Sequence, residues 1–338
     1  MAKAKEIAGL DCGAEARAGV RLVLLTRLEE MSAFRAAAVD QGDIAGVHDM
    51  RVASRRLRSA LGDFLPYLRK RKLLQSKDDL KRVAQALGRV RDQDVAINAL
   101  EELAAQAPPE IAAGIGEFAA ERRMKRDRER SGLNDWLTEE RLAEVLEEFH
   151  DSLERGLKDS RGRKRERAHE GMSFREAGRE VIRARLRELL DLSESLYRPL
   201  KSRPLHRLRI AAKRLRYALE LFAPCWSEPL IPFAKEIARL QKSLGELHDS
   251  DLWIKELGEA LADSKDESGG APERSAAFWL LDHFVGKRDG HFRDALARWR
   301  EWETTDFQAH ILAALEDRAP AIEPASLDTT ADVEEQQG

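Results

Sequence analysis

The chain carries one segment twice. Val47-His-Asp-Met-Arg-Val-Ala-Ser-Arg-Arg-Leu-Arg-Ser-Ala-Leu61 aligns without gaps on Leu205-His-Arg-Leu-Arg-Ile-Ala-Ala-Lys-Arg-Leu-Arg-Tyr-Ala-Leu219, at an offset of 158. Upstream at the same offset, Leu24 and Leu28 meet Ile182 and Leu186. Downstream, at an offset of 157, Leu87-Gly-Arg-Val-Arg-Asp-Gln-Asp94 meets Leu244-Gly-Glu-Leu-His-Asp-Ser-Asp251. Self-similarity held in one register over most of each half predicts a tandem duplication of one structural unit. Between the repeated segments Ala, Leu, Glu, Arg and Lys recur at spacings of three and four, the helical period, and aromatic residues make up only 6% of the chain. That composition excludes a β-rich fold. The expected architecture is all-α: two similar antiparallel bundles facing one another about a pseudo-two-fold axis.

Helix breaks are expected at Gln41-Gly42-Asp43, after Arg69, at Pro108-Pro109, at Ser131-Gly132, from Pro199 to Pro204, from Pro224 to Pro232, from Asp263 to Pro272, and at Glu303-Thr304-Thr305. The run Ser160-Arg-Gly-Arg-Lys-Arg-Glu-Arg167 has no apolar residue and reads as a linker, and Ser173-x-x-Glu176 reads as a capping box opening the next helix. These marks give a first bundle at 14–158, a basic linker at 159–172, a second bundle at 173–317 and an acidic tail at 318–338. Residues 319–338 hold Glu323, Asp328, Asp332, Glu334 and Glu335 and no basic residue, so the overall charge of −3 leaves residues 1–318 about +2. Cys12 and Cys225 lie 213 positions apart with no Cys-x-x-Cys pair, which reads as two thiols in a reducing cytosol and not as a disulfide framework or zinc site. With no apolar run approaching the roughly 20 residues of a membrane span, the protein reads as soluble and cytoplasmic.

Placed on a helix at about 100° per residue, His48, Arg51, Arg55 and Arg58 fall on one face, opposite Met50, Ala53, Leu57, Leu61 and Phe64. His206, Arg209, Lys213 and Arg216 repeat that stripe, against Leu208, Ala211, Leu215, Leu219 and Phe222. Arg56 and Arg214 adjoin it. Like charges four apart on a helix repel by a few tenths of a kcal/mol per pair, and a solvated face normally mixes signs. A cationic stripe without acids, built twice, predicts a bound anion, and the arginine fork suits phosphate. In the second motif Arg91 and His248 occupy matching positions, and Asp94 and Asp251 sit within apolar faces. A carboxylate buried there needs a cationic partner, expected from the preceding helix, so the two aspartates are read as positioning the stripe. Lys81, Arg126 and Arg130, and His283 and Lys287 (matching Arg126 and Arg130 at offset 157), are weaker candidates for anion contact. No zinc-ligand spacing, phosphate-binding Gly loop or nucleophile motif is present, so neither a metal nor a cofactor is expected and no residue is read as catalytic.

The doubled His-x-x-Arg-x-x-x-[Arg/Lys]-Arg-Leu-Arg segments at 48–58 and 206–216, with Leu-Gly-x-x-[Arg/His]-Asp-x-Asp at 87–94 and 244–251, resemble the signature of the CHAD family, the conserved histidine α-helical domain. The resemblance runs from about residue 14 to 317. It implies two four-helix bundles around a basic central cavity, binding of inorganic polyphosphate without hydrolysis, and association with polyphosphate granules. No CYTH-type Glu-x-Glu-x-Lys is present, so the chain resembles a stand-alone member. Two other readings remain open. A nucleic-acid-binding module is disfavoured by the shortage of aromatics interleaved with the stripe. A phosphohydrolase or phosphohistidine carrier would use His48 or His206.

Overall fold

The computed structural model describes residues 4–40, 43–158, 171–226, 229–263 and 271–316. Residues 159–170 of the expected linker and the expected tail at 318–338 lie outside them. The first half holds α1 (Ala16–Ala33), the short α2 (Arg35–Val39), α3 (Ile44–Phe64), α4 (Leu74–Ala104), α5 (Pro109–Trp136) and α6 (Glu139–Leu157). The second holds α7 (Phe174–Asp191), α8 (Ser202–Phe222), α9 (Leu230–Asp263), α10 (Ala271–Thr304) and α11 (Phe307–Glu316). No strand occurs among the described residues.

Local chemistry sets several helix starts. The Asp43 carboxylate accepts a hydrogen bond from the Gly46 amide at 2.9 Å to open α3, and Pro109 at the first position opens α5. Ser173 and Glu176 form the expected capping box on α7. One expected break is wrong. Ser131-Gly132 lies inside α5, because a single glycine does not outweigh a helix packed along its length. The chain turns instead at Leu137–Thr138, where the Thr138 hydroxyl caps α6 by accepting from the Arg141 amide.

Corresponding helices of the two halves meet: α1 packs on α7, α3 on α8 and α5 on α10. Phe64 and Phe222, last residues of the two stripe helices, meet edge to face with centroids 5.9 Å apart, and the Phe174 ring lies 5.0 Å from Phe222. All three are fully buried. Gly178 lets α7 approach this cluster, since a Cβ there would stand 2.6 Å from the Phe222 ring. Each half also ties its stripe helix to its first helix through an ion triad. Glu30 accepts from Arg27 (2.6 Å) and Arg56 (2.7 Å), and Glu188 accepts from Arg185 (2.8 Å) and Arg214. All three members of the first triad recur 158 positions later in the second.

The apolar interior is divided. The main cluster spans both halves, while Leu100, Leu103, Ile115, Ala119, Leu257, Ala276, Ala277, Leu280 and Phe284 form a second one at the tips of the α4–α5 and α9–α10 hairpins. Among the described residues no buried member of either cluster lies between Val90 and Leu100 on α4 or between Leu247 and Leu257 on α9. In that stretch the polar residues Gln93 and Asp94 of α4 and Ser250 of α9 are buried, beside the apolar Ala96 and Ile97.

The cysteines require a correction. Cys12 and Cys225 form a disulfide. Sequence separation hid their proximity. The N-terminal segment pairs with the entry to α7, the amides of Phe174 and Arg175 donating to the carbonyls of Ala14 and Cys12 at 2.9 Å each. This lays Cys12 beside the 3-10 turn Ala223–Trp226 that follows α8. The thiol argument for a reducing cytosol therefore falls away. Among the described residues no helix is long and apolar enough to cross a membrane. Thiol titration of the denatured, unreduced protein should find no free cysteine. Cys12→Ser should lower stability by about 2–5 kcal/mol in a denaturant melt, given the long loop the bond closes.

Candidate anion site

The seam between α3 and α8 brings the two stripes together. Arg51 and Arg55 of α3 lie close enough to Lys213 of α8 that they, with Arg209 and Arg216, oppose its charge; burial is the larger cause, and together they push the Lys213 amine down to about 7. Burial likewise lowers Arg55, with Arg51, Arg216 and Arg56 adding repulsion. The Nε atoms of Arg55 and Arg216 and the Nδ1 of His206 are buried without a hydrogen-bond partner among the described residues. Arg55 and Lys213 make no ion pair there. Five cations from two helices thus converge, and three carboxylates approach them, each exposed to solvent. Asp92 accepts from Arg51 at 3.0 Å, Glu220 lies 3.4 Å from Arg216, and Asp249 attracts Arg209.

The second motif has a defined role here. A Cβ on Gly88 would stand 3.8 Å from the Arg51 Nε, and one on Gly245 would stand 3.6 Å from the Arg209 Nε. The Leu-Gly pair therefore leaves α4 and α9 bare where a stripe arginine lies across them, and a longer side chain would displace the guanidinium. One turn later come Asp92 and Asp249, which the sequence reading left without a role although both stand in the motif. They, and not Asp94 and Asp251, restrain the stripe cations.

Asp94 and Asp251 face the following helix instead. Asp251 accepts from the Arg288 Nε at 2.6 Å, and the same guanidinium donates to the Pro199 carbonyl just before α8, also at 2.6 Å. In the first half burial raises the Asp94 carboxyl, while Arg91, Arg126 and Arg130 pull it down, and Arg130 donates to the Asp40 carbonyl before α3. Arg130 and Arg288 are therefore counterparts at offset 158. The alignment of Arg130 with Lys287 at offset 157 slips by one residue. That slip leaves Arg288 without a match in the sequence alignment. Together these residues fix where each stripe helix begins.

The remaining candidates divide. His48 is lowered by burial and then by Arg91, and the rings of His206 and His248 lie with centroids 4.2 Å apart, tilted at 43°. Burial, followed by His206 and Arg209, pushes His248 down to about 4, and His206 is also lowered by burial. All three are therefore neutral imidazoles at pH 7 in the free protein. Arg56 and Arg214 are held in the triads, so their reading as anion contacts does not fit their geometry. His283 packs parallel to Trp279 at 5.8 Å and edge-on to Phe284 in the tip cluster, with Lys287 close enough to oppose its charge. Arg126 pairs with Asp127 at 2.8 Å. Arg58 and Lys81 line a cavity beside α3. Among the described residues no group of three His, Cys, Asp or Glu is placed to hold a metal ion.

The chain belongs to the CHAD domain family, whose model matches residues 22–258. The fold is similar to the crystal structure of the CHAD domain from the plant Ricinus communis, with a TM-score of 0.66 and 21% identity over 87% of this chain and 94% of that one. It is similar also to PptA from Streptomyces chartreusis, with a TM-score of 0.63 and 14% identity over 85% of this chain and 100% of that one. No curated protein matches in sequence. Removing a partner from the buried Asp251–Arg288 pair should destabilise the fold by about 3 kcal/mol. Asp251→Ala should therefore melt earlier than Asp94→Ala, whose carboxylate has no direct ion pair among the described residues.

Proposed function

We propose that this protein binds inorganic polyphosphate along the seam between α3 and α8 and does not hydrolyse it. The observation that carries the reading is the convergence of Arg51, Arg55, Arg209, Lys213 and Arg216 from two helices onto one place, where Arg55 and Lys213 make no ion pair among the described residues. A linear anion with a charge on every unit relieves that repulsion at many points at once. A guanidinium fork can grip phosphate oxygens in pairs. Family membership supports the same ligand. Association with polyphosphate granules follows from the reading. The neutral histidines act as hydrogen-bonding groups that take up protons when phosphate approaches, because an adjacent anion favours the imidazolium. Lys213 does the same. Affinity should therefore rise as pH falls from about 8 to about 6.

Competition among long polyphosphate, triphosphate, single-stranded DNA and duplex RNA tests the reading. Long polyphosphate should win and be recovered at its original length, and its affinity should fall log-linearly with salt as counterions are released. Preference for either nucleic acid, or phosphate released from the chain, would contradict it. Arg51→Ala with Arg55→Ala, and Arg209→Ala with Lys213→Ala, should each weaken long-chain binding roughly 100-fold, since one ligand touches both stripes. Calorimetry showing two equal sites, each blind to mutation of the other, would contradict a shared seam.

A further inference from the structure

The two flanks of the seam are not equivalent. One turn beyond Arg55, about 4.5 Å along α3, Arg58 borders a cavity of about 380 Å³ between α3, α4, α7 and α8. Arg58, Lys77, Lys81, Arg185 and Arg214 line it together with Asp63. Arg185 is bound by Asp63 (2.6 Å) and Glu188, and Arg214 by Glu188. Arg58, Lys77 and Lys81 make no ion pair among the described residues. Desolvation lowers the Arg58 guanidinium although much of the side chain is exposed, which places that charge against protein with no anion beside it.

The corresponding place in the second half is nearly filled. Its cavity is about 40 Å³ and is bounded by Arg27, Arg56, Tyr217, Glu220 and Leu221. Four changes contribute to the difference, beside Ala4 of the N-terminal segment, which walls the smaller cavity. Ser59 and Gly62 of α3 correspond to Tyr217 and Glu220 of α8 at offset 158, and Lys77 and Lys81 of α4 correspond to Ala234 and Ala238 of α9 at offset 157. Tyr217 fills space. Glu220 puts a carboxylate 3.4 Å from Arg216, the counterpart of Arg58. The alanines remove two cations. One flank is open and positive; the other is closed and neutralised.

We propose that the cavity at Arg58, Lys77 and Lys81 is a second phosphate subsite continuous with the seam, so that a polyphosphate chain too long for the seam leaves the protein on this side only. The proposal rests on the polyphosphate reading above. Lysines suit such a subsite because their mobile point charges accept a chain in more than one register, whereas the arginine forks of the seam fix it.

Gly62→Glu tests it directly. A Cβ at Gly62 meets nothing within 4 Å, so the substitution fits, and it sets a carboxylate one turn after Arg58 as Glu220 stands to Arg216. Affinity for long polyphosphate should fall about tenfold while that for triphosphate stays unchanged. Gly62→Gln, of the same volume without the charge, should keep both, which separates charge from any effect on folding. Lys77→Ala with Lys81→Ala should likewise weaken the long chain. Arg239→Ala, an exposed arginine of α9 that lines neither cavity and pairs with Glu236, should not. The proposal is overturned if Gly62→Glu weakens both chain lengths equally or neither, or if Arg239→Ala matches the double lysine variant. Failure of the unsubstituted protein to bind any polyphosphate would overturn this proposal and the functional reading together, whereas the other outcomes overturn this proposal alone.

Discussion

Everything distinctive about this molecule depends on like charges being held together. Arg51, Arg55, Arg209, Lys213 and Arg216 repel one another across the α3–α8 seam, and burial raises the penalty by removing the water that would screen them. An isolated pair of such helices would separate. They remain together because the scaffold pulls from the opposite face. Leu57, Leu61 and Phe64 and their counterparts Leu215, Leu219 and Phe222 are fully buried, and the edge-to-face contact of Phe64 with Phe222 closes the helix ends. Apolar burial, at about 1.5–3 kcal/mol for each of these six large side chains, is what opposes that repulsion.

The rest of the polar structure aims the charges. The Glu30 and Glu188 triads bind Arg56 and Arg214 on the sides of the stripe helices, which prevents rotation of the stripes about their own axes. Arg288, reaching from Asp251 to the Pro199 carbonyl, fixes the start of α8, and Arg130 does the same for α3 through the Asp40 carbonyl. Gly88 and Gly245 leave space for Arg51 and Arg209 to lie across the long helices. Each device occurs once per half, so neither stripe is positioned without its partner being positioned in the same way. The flanks break that symmetry, and there the two halves can treat one ligand differently.

Much of this was legible before any coordinates. The helical period, the cationic face of 48–58 and its apolar opposite, and the capping box at Ser173 are local properties, and the repeat exposed the face twice. What escaped notice depends on tertiary contacts. Asp94 and Asp251 show themselves in sequence as carboxylates within apolar faces, but nothing local says whether the preceding or the following helix supplies the cation. Arg56 and Arg214 belong to the motif by sequence and to the scaffold by geometry, because their partners Glu30 and Glu188 lie 26 positions earlier on another helix. Arg288 was hidden by a one-residue slip in aligning α10 on α5. The disulfide was hidden by the assumption that distant cysteines are unrelated.

The most direct test of the charge cluster is the titration of Lys213 itself, followed by NMR of its side-chain carbon next to the amine, in the protein alone and with long polyphosphate. The cluster predicts a free pKa of about 7, and a rise of one unit or more when the chain binds, because each bound phosphate replaces a neighbouring cation's repulsion with attraction. An ordinary lysine value near 10 in the free protein, or a depressed value that polyphosphate leaves unmoved, would contradict it.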